Sequence, residues 1–569
     1  MDAFPLHSDA DGTEWLTIPH RGRAVLSHNL YNRGSAFTNQ ERESLGLVGL
    51  LPHRVTTLKE QTERAYGYIC RHQDPLERFV ALQELEARNA VLFYRLVYEH
   101  LEEFMPVVYT PTVGQACQQF SHIFRRGRGI WITPEHRGHM AQVLKNAPWA
   151  DVRLIVITDN QSILGLGDLG AGGMGIPVGK LALYTVGAGI HPAHTLPISV
   201  DVGTDNEELL RNPFYMGVRQ PRLKGAEYDS LIEEAVTTIK ATFPKVVLQW
   251  EDFRKSNAFT LLDRYRERLC SFNDDIQGTA GVALAGVMAA GRISQTPFRQ
   301  QRVLIVGGGA AGIGIARQLR EALASEGVTG DALTEAIGVT DSGGLLHDGR
   351  SIDDAYKESF AWPKALVEAR GLSLQKPNDL LTCINALKPT VLIGTSGQPN
   401  TFSESVVRAM LAHVERPAIF PFSNPNAMSE GAPADLIRWT DGKALIATGS
   451  PFGAVTHAGK TLQISQGNNV YVFPGVGLGA IVAEARMITD GMLKAAALAL
   501  AGFVKPAHLK QGLLFPPLRE LNTISAEIGL AVAKAAVEEG VAPPAEEAAL
   551  RDGIQSTMWV PSYPKVKLE

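Results

Sequence analysis

Apolar residues recur at helical spacing, with charges between them, over residues 40–51 and 76–98, so the N-terminal stretch reads as mainly helical. Asp74-Pro75 predicts the start of the second of these helices, with Asp as N-cap and Pro in the first position. Residues 106–114 interrupt the pattern: Pro106, Pro111, two threonines and Gly114 predict a fixed, non-helical loop. From about residue 150 the texture becomes α/β. Residues 152–158 are a buried strand, and 196–202 predict another. Short apolar runs at 302–306, 336–340, 390–393, 418–422 and 444–448 are separated by helix-length segments, the pattern of a parallel sheet. Residues 280–293 predict a helix of small residues suited to close packing, and 525–538 an amphipathic helix; Pro543-Pro544 opens a tail.

Composition narrows the class. A chain of 569 residues exceeds one core, so several domains are expected. The 45% hydrophobic and 20% charged shares are those of a soluble globular protein. A net charge of −5 offers no electrostatic footprint for nucleic acid and no basic face for a membrane. Cys70, Cys117, Cys270 and Cys383 lie far apart without CxxC spacing, which points away from zinc and towards a reducing compartment. The N-terminus shows no basic start followed by an apolar stretch, and no apolar run reaches the roughly 18–20 residues of a membrane span. A cytoplasmic protein is the expectation.

Two acidic segments carry the most chemistry. Residues 245–250 read as a buried strand running into Glu251 and Asp252, and Phe272-Asn273-Asp274-Asp275-Ile276 frames a second pair in apolar residues. Carboxylates in such a setting are costly unless something positive meets them. A hard divalent cation, Mg²⁺ or Mn²⁺, is the natural partner, acting on an oxygen-rich substrate; solvated acidic turns are the plain alternative. Gly307-Gly308-Gly309-Ala310-Ala311-Gly312 follows a strand and opens a helix, the context of a dinucleotide fingerprint, with Gly307, Gly309 and Gly312 in its glycine positions and Asp341 as the acid for the ribose. A second match, Gly165 to Gly170, contains Asp168, which would repel a pyrophosphate; a pocket wall is the better reading there. Lys180 lies in a largely apolar stretch, where desolvation can make a lysine a general base. On that stretch alone a lysine snorkelling from a helix start fits better. Tyr109 is a candidate proton donor, but on sequence physics alone an aromatic packed in its loop fits better.

Seven segments then resemble malic enzymes, in family order and over almost the whole chain: Tyr-Thr-Pro-Thr-Val-Gly (109–114), Ile-Leu-Gly-Leu-Gly-Asp-Leu-Gly (163–170), Gly-Met-Gly-Ile-Pro-Val-Gly-Lys (173–180), Trp-Glu-Asp-Phe (250–253), Phe-Asn-Asp-Asp-Ile-Gln-Gly-Thr (272–279), Phe-Ser-Asn-Pro (422–425) and Gly-Asn-Asn-Val-Tyr-Val-Phe-Pro-Gly (467–475). The resemblance is to the long form of the family. It implies an α/β fold with a mainly helical N-terminal domain (1–126), a substrate and metal domain (127–273 and 468–539), a Rossmann-type NAD(P)-binding domain with a parallel sheet (274–467) and a C-terminal tail (540–569). It implies oxidative decarboxylation of L-malate to pyruvate and CO₂ with NAD, NADP staying open, and decarboxylation of oxaloacetate. Glu251, Asp252 and Asp275 match the three metal ligands, and the metal would chelate the C2 oxygen and one C1 carboxylate oxygen. Lys180 matches the general base, Tyr109 the general acid, and Asp274 an acidic neighbour that supports the lysine and the metal shell. Asn424, Asn468 and Asn469 match amides for the substrate, with Asn424 also on the cofactor. A homo-tetramer built as a dimer of dimers is implied as well.

Three departures qualify the match. Ser162 stands where the family places an Arg that pairs with the substrate carboxylate, so carboxylate binding is expected to weaken. Ala310 replaces a frequent Glu. Ser342 and Gly343 follow Asp341 where NADP forms place a Lys; an unopposed acid favours NAD, while Lys357 keeps NADP open. Arg64 and Arg88 match arginines of an allosteric dicarboxylate site in some animal members, but Thr56 replaces its acidic partner, and salt bridges within the helical domain are the expected role. Two alternatives are carried: a malolactic-type enzyme that retains NAD and releases lactate, and a non-catalytic dinucleotide- or dicarboxylate-binding protein.

Overall fold

The structure, a computed structural model, describes residues 2–8 and 14–568. It divides into two compact units, Met1–Leu248 with Asp552–Glu569, and Gln249–Arg551.

In the first unit, Asp74 caps the helix Pro75–Arg88 as predicted, its side chain accepting from Leu76 N at 2.9 Å. The periodic stretch 76–98 is two helices, not one. Asn89 ends Pro75–Arg88 with φ −152° and caps Ala90–Glu99 by accepting from Leu92 N at 3.0 Å. The predicted loop 106–114 shrinks to Tyr109-Thr110-Pro111. Pro106 lies inside the helix Leu101–Val108, and Thr112 begins the helix Thr112–Gln118. A proline near the end of a short helix sacrifices one backbone donor there, which the packing of Phe104, Met105 and Val107 tolerates.

Three strands of this unit, β1 (Ile130–Ile132), β2 (Leu154–Thr158) and β3 (Thr195–Val200), pair parallel in the order β1-β3-β2. Every residue of β2 is buried, which explains its unbroken apolar run. Helix α1 (Gly175–Ala188) is buried on all sides from Ile176 to Ala188, so its sequence lacks an amphipathic stripe. The strand Glu14–Ile18 pairs antiparallel with Leu6–Ser8 and parallel with Lys565–Leu568, so the C-terminal residues complete a sheet with the N-terminal ones. Arg64 and Arg88 are exposed, and among the described residues neither takes part in an ion pair; the salt-bridge expectation is not met. Their guanidinium groups stay in water, where pairing contributes little.

The chain enters the second unit along β4 (Val247–Trp250). There β5 (Ser271–Asn273) runs into a π-helical turn, Asp274–Gly278, and on into α2 (Thr279–Ser294). The stretch Asp274–Ser294 is long and apolar enough by composition to cross a membrane, yet most of it is buried inside the protein, the position of a core helix. A seven-stranded sheet follows: β6 (Val303–Val306), β7 (Ile337–Asp341), β8 (Gly344–Leu345), β9 (Val391–Gly394), β10 (Ala418–Pro421), β11 (Leu445–Thr448) and β12 (Ser465–Gln466), in the order β8-β7-β6-β9-β10-β11-β12. Only β8 runs antiparallel to its neighbour. The order reverses between β6 and β9, whose residues Val303 and Val391 are in register. In a doubly wound sheet such a reversal leaves a crevice at the carboxyl ends of the two strands, where ligands bind. The predicted strands fall within two or three residues of their expected bounds, and the helix that the fingerprint opens is α3 (Ala310–Ser325).

Candidate active site

In the first unit, Tyr109 and Lys180 come together. Lys180, on α1, is 2% exposed, and its Nζ lies 5.2 Å from the centre of the Tyr109 ring. Gly179 makes this approach possible: a Cβ there would sit 2.9 Å from both Tyr109 Cδ2 and Val108 O. Ser162 is half-buried at the start of the loop that leaves β2. That loop holds two non-glycine residues at positive φ, Asn160 (65°) and Leu164 (48°), the kind of local strain that surrounding structure must impose. Asp168 anchors the end of that loop. Its carboxylate accepts from Gly170 N at 3.0 Å and Asp205 N at 2.9 Å and pairs with Arg222 at 3.4 Å. Arg222, itself buried, also pairs with Asp159 at 3.3 Å. The glycines beyond serve close packing: a Cβ on Gly172 would strike Cys117 O, and one on Gly173 would strike Asn160 Oδ1. Gly165 to Gly170 is therefore tied, through Asp168, to a largely buried ion-pair network.

The second unit carries the acidic cluster. Glu251 and Asp252 follow the end of β4 and are 2% and 5% exposed. Asp252 has φ +56°, a left-handed conformation that an aspartate tolerates better than most residues. Ligand atoms of Glu251, Asp252 and Asp275 lie within 4.8 Å of one another. Gln249 Nε2 donates to Glu251 Oε2 at 2.6 Å, and Asp252 N donates to Asp275 Oδ2 at 2.8 Å. Asp274 stands outside this cluster. It is wholly buried, and Asn469 Nδ2 donates to its Oδ2 at 3.0 Å and to Thr279 Oγ1 at 3.0 Å. The π-helical turn separates the roles of the two adjacent acids; such insertions concentrate at functional sites. Three carboxylates crowded in a mostly buried place repel one another unless a cation sits among them, and an all-oxygen donor set suits Mg²⁺ or Mn²⁺. The residues thus fit a hard divalent ion.

The fingerprint sits at the switch point. Gly307 has φ +118°, and a Cβ there would lie 2.6 Å from Thr395 O; one on Gly312 would strike Gly307 O. Gly309, just before α3, faces open space, leaving room for a pyrophosphate at the helix N-terminus. Asp341 closes β7, but not as an unopposed acid: Arg350 and Lys357 each reach it at 2.7 Å. Burial pushes the Asp341 carboxyl up, and hydrogen bonds from Lys357 and Arg350 outweigh it, bringing the pKa to about 2. Asn424 Oδ1 accepts from the Ser450 hydroxyl, and Asn468 Oδ1 caps the turn Asn469–Tyr471 through Val470 N at 2.9 Å.

Residue types alone did not reveal Gln249, Arg222, Arg350 or Glu430. Glu430 is fully buried and accepts from Ser396 N (2.7 Å), Gly397 N (3.2 Å) and Ser423 Oγ (2.5 Å), tying together the loops after β9 and β10 that flank Asn424. A lone glutamate in a loop carries no sequence signal for this; only the fold brings its donors to it.

Residues 86–266 match the family described as malic enzyme, N-terminal domain, and residues 276–537 match malic enzyme, NAD binding domain. The chain belongs to the malic enzyme family. Among relatives of this family, an NAD-dependent malic enzyme of Vibrio parahaemolyticus is 44% identical over 97% of this chain and 98% of its own length. One of Edwardsiella ictaluri is 45% identical with the same coverage, and one of Acinetobacter baylyi 44% identical over 96% of this chain and 97% of its own. The crystal structure of Entamoeba histolytica malic enzyme shares the fold with a TM-score of 0.57 at 22% identity, covering 90% of this chain and 91% of that one. That of Pyrococcus horikoshii malic enzyme gives 0.54 at 24%, covering 80% and 89%.

Proposed function

We propose that this chain oxidises L-malate with NAD and decarboxylates the product to pyruvate and CO₂, with Mg²⁺ or Mn²⁺ bound by Glu251, Asp252 and Asp275. The observation that carries this reading is the mostly buried three-carboxylate cluster within 4.8 Å, in a chain of this family. Lys180 takes the C2 hydroxyl proton while the C2 hydride leaves malate. The bond from C3 to the C4 carboxylate then breaks, and Tyr109 delivers a proton to C3 of the enol. Lys180, packed beside the Tyr109 ring and excluded from water, can reprotonate that residue between turnovers. Asn469 fixes the Asp274 carboxylate, so its charge stays oriented beside the metal ligands rather than joining them. Bound NAD supplies the hydride acceptor, and a bound divalent ion supplies Lewis-acid polarisation of the substrate oxygens. The same residues serve decarboxylation of added oxaloacetate.

The decisive experiment incubates the protein with malate, NAD and Mn²⁺ and follows reduced nicotinamide and pyruvate together. Equal amounts of both are expected. Lactate with no net reduced nicotinamide would replace this reading by the malolactic one. NADP is a second cofactor reading, favoured by Lys357 and Arg350 on Asp341: two cations beside one acid leave net positive charge where a 2′-phosphate would sit. The family resemblance also supports a homo-tetramer in the cytoplasm; sedimentation of the purified protein tests the assembly.

A further inference from the structure

Behind the acidic cluster, within the second unit, α3 presents a polar face where a core helix would be apolar. Gly314, Arg317, Gln318, Glu321 and Ala324 follow one another at helical spacing and line a cavity of about 570 Å³. That is the size of a small-molecule site. Its lining also includes Leu262, Ala280 and Leu333, together with Ile276 and Gln277 of the π-helical turn.

The cavity is chemically lopsided. Arg266 pairs with Asp490 at 3.2 Å, and Glu321 shares that neighbourhood. Arg317 and Arg320, by contrast, meet no carboxylate within ion-pair distance among the described residues. Arg317 lies 4.9 and 5.0 Å from the ring centres of Phe259 and Tyr356, and Arg320 lies 4.1 Å from that of Phe360 and donates to Ser359 O at 2.8 Å. The two guanidinium groups repel each other and are partly desolvated, so the Arg320 pKa is held down, by burial first and then by Arg317. Gln318, 5% exposed, lines the same cavity, and its buried Nε2 has no hydrogen-bond partner among the described residues. Native proteins rarely leave a buried amide donor unbonded, and two stacked but unpaired arginines are a ready oxyanion clamp.

We propose that this cavity is a binding site for a small organic oxyanion, its anionic group held by Arg317, Arg320 and Gln318 Nε2 and its body against Leu262, Ala280 and Leu333. None of these residues belongs to the proposed malate, metal or NAD sites.

Calorimetric titration of the full-length protein, saturated with NAD to fill the fingerprint, tests this with two probes at constant ionic strength, inorganic phosphate and succinate. The expected result is a binding event for at least one probe that weakens at least about ten-fold in Arg320→Gln and in Gln318→Leu, while turnover of malate without the probe is unchanged. Weakening for phosphate alone assigns the site to phosphate esters; weakening for succinate alone assigns it to carboxylates. No binding of either probe, or binding equal in the parent and both variants, overturns the proposal.

Discussion

Ser162 concentrates the question of how tightly this chain holds its substrate. A guanidinium gives a carboxylate two parallel charge-assisted hydrogen bonds; a hydroxyl gives one neutral bond. Restoring the family residue as Ser162→Arg should lower KM for malate about ten-fold with kcat little changed, because the contact is made equally in ground and transition states. Steady-state kinetics on malate checks this, and an unchanged KM would mean that another cation already serves the carboxylate. Lys180 belongs to the opposite case. Lys180→Ala should lower kcat by about 10²–10⁴-fold, the range of a lost general base, with metal and NAD binding retained. Both residues stand out in the sequence once the motifs around them are read together. Their partners do not: Gly179, which lets α1 approach Tyr109, looks like any helix glycine until the 2.9 Å clearance is measured.

At the scale of elements, β5, the π-helical turn and α2 form one device: the strand delivers Asp274 and Asp275, and the turn sends them to different neighbours. The turn rests on α3, where a Cβ on Gly314 would strike the carbonyl oxygen of Ile276. Gly314→Ala should displace the turn and weaken Mn²⁺ binding by an order of magnitude or more, with far-UV circular dichroism unchanged; titration of Mn²⁺ by its paramagnetic signal reads this directly. The two strand-end acids, the fingerprint and the parallel sheet were all legible as elements, because each is a contiguous apolar run ending in chemistry. The π-helical turn was not, since its sequence merges into the following helix. The Asp341 cations were half legible. Lys357 lies near enough in sequence to suspect, whereas Arg350 returns to Asp341 only through the turn after β8. Lys357→Ala should therefore reduce kcat/KM for NADP more than for NAD, and an unaltered ratio would remove Lys357 from cofactor choice.

At the scale of the whole molecule, the least legible feature is how the chain ends close the first unit. Nothing in the composition of the last residues marks them as partners of the first, because parallel pairing between 14–18 and 565–568 leaves no local pattern. Tyr563 joins them further: its hydroxyl accepts from Asn89 Nδ2 at 2.7 Å and donates to Gln61 Oε1 at 2.7 Å. Trp559 N donates to Gly189 O at 2.7 Å, and its ring packs edge-on to His191 at 4.8 Å. His191 is also stacked on Phe4 at 4.9 Å, so both chain ends enclose it. Burial, and then His194, lower its pKa from 6.5 to about 3. Between those values the unfolded chain binds a proton that folded His191 refuses. Its contribution is complete above pH 6.5 and is lost as pH falls, by about 1.4 kcal/mol per unit. Thermal melts of the first unit's transition between pH 7.5 and pH 5 should therefore decline, and His191→Phe should flatten that decline. Trp559→Ala should act on the same enclosure by a different route. It removes a large, mostly buried ring, costs about 3–5 kcal/mol, and admits water to His191, raising its pKa towards the ordinary value. The variant should thus be less stable at every pH yet lose less on acidification than the parent. A Trp559→Ala protein with parent-like stability and the parent's pH slope would show that the C-terminal segment does not enclose His191 in solution.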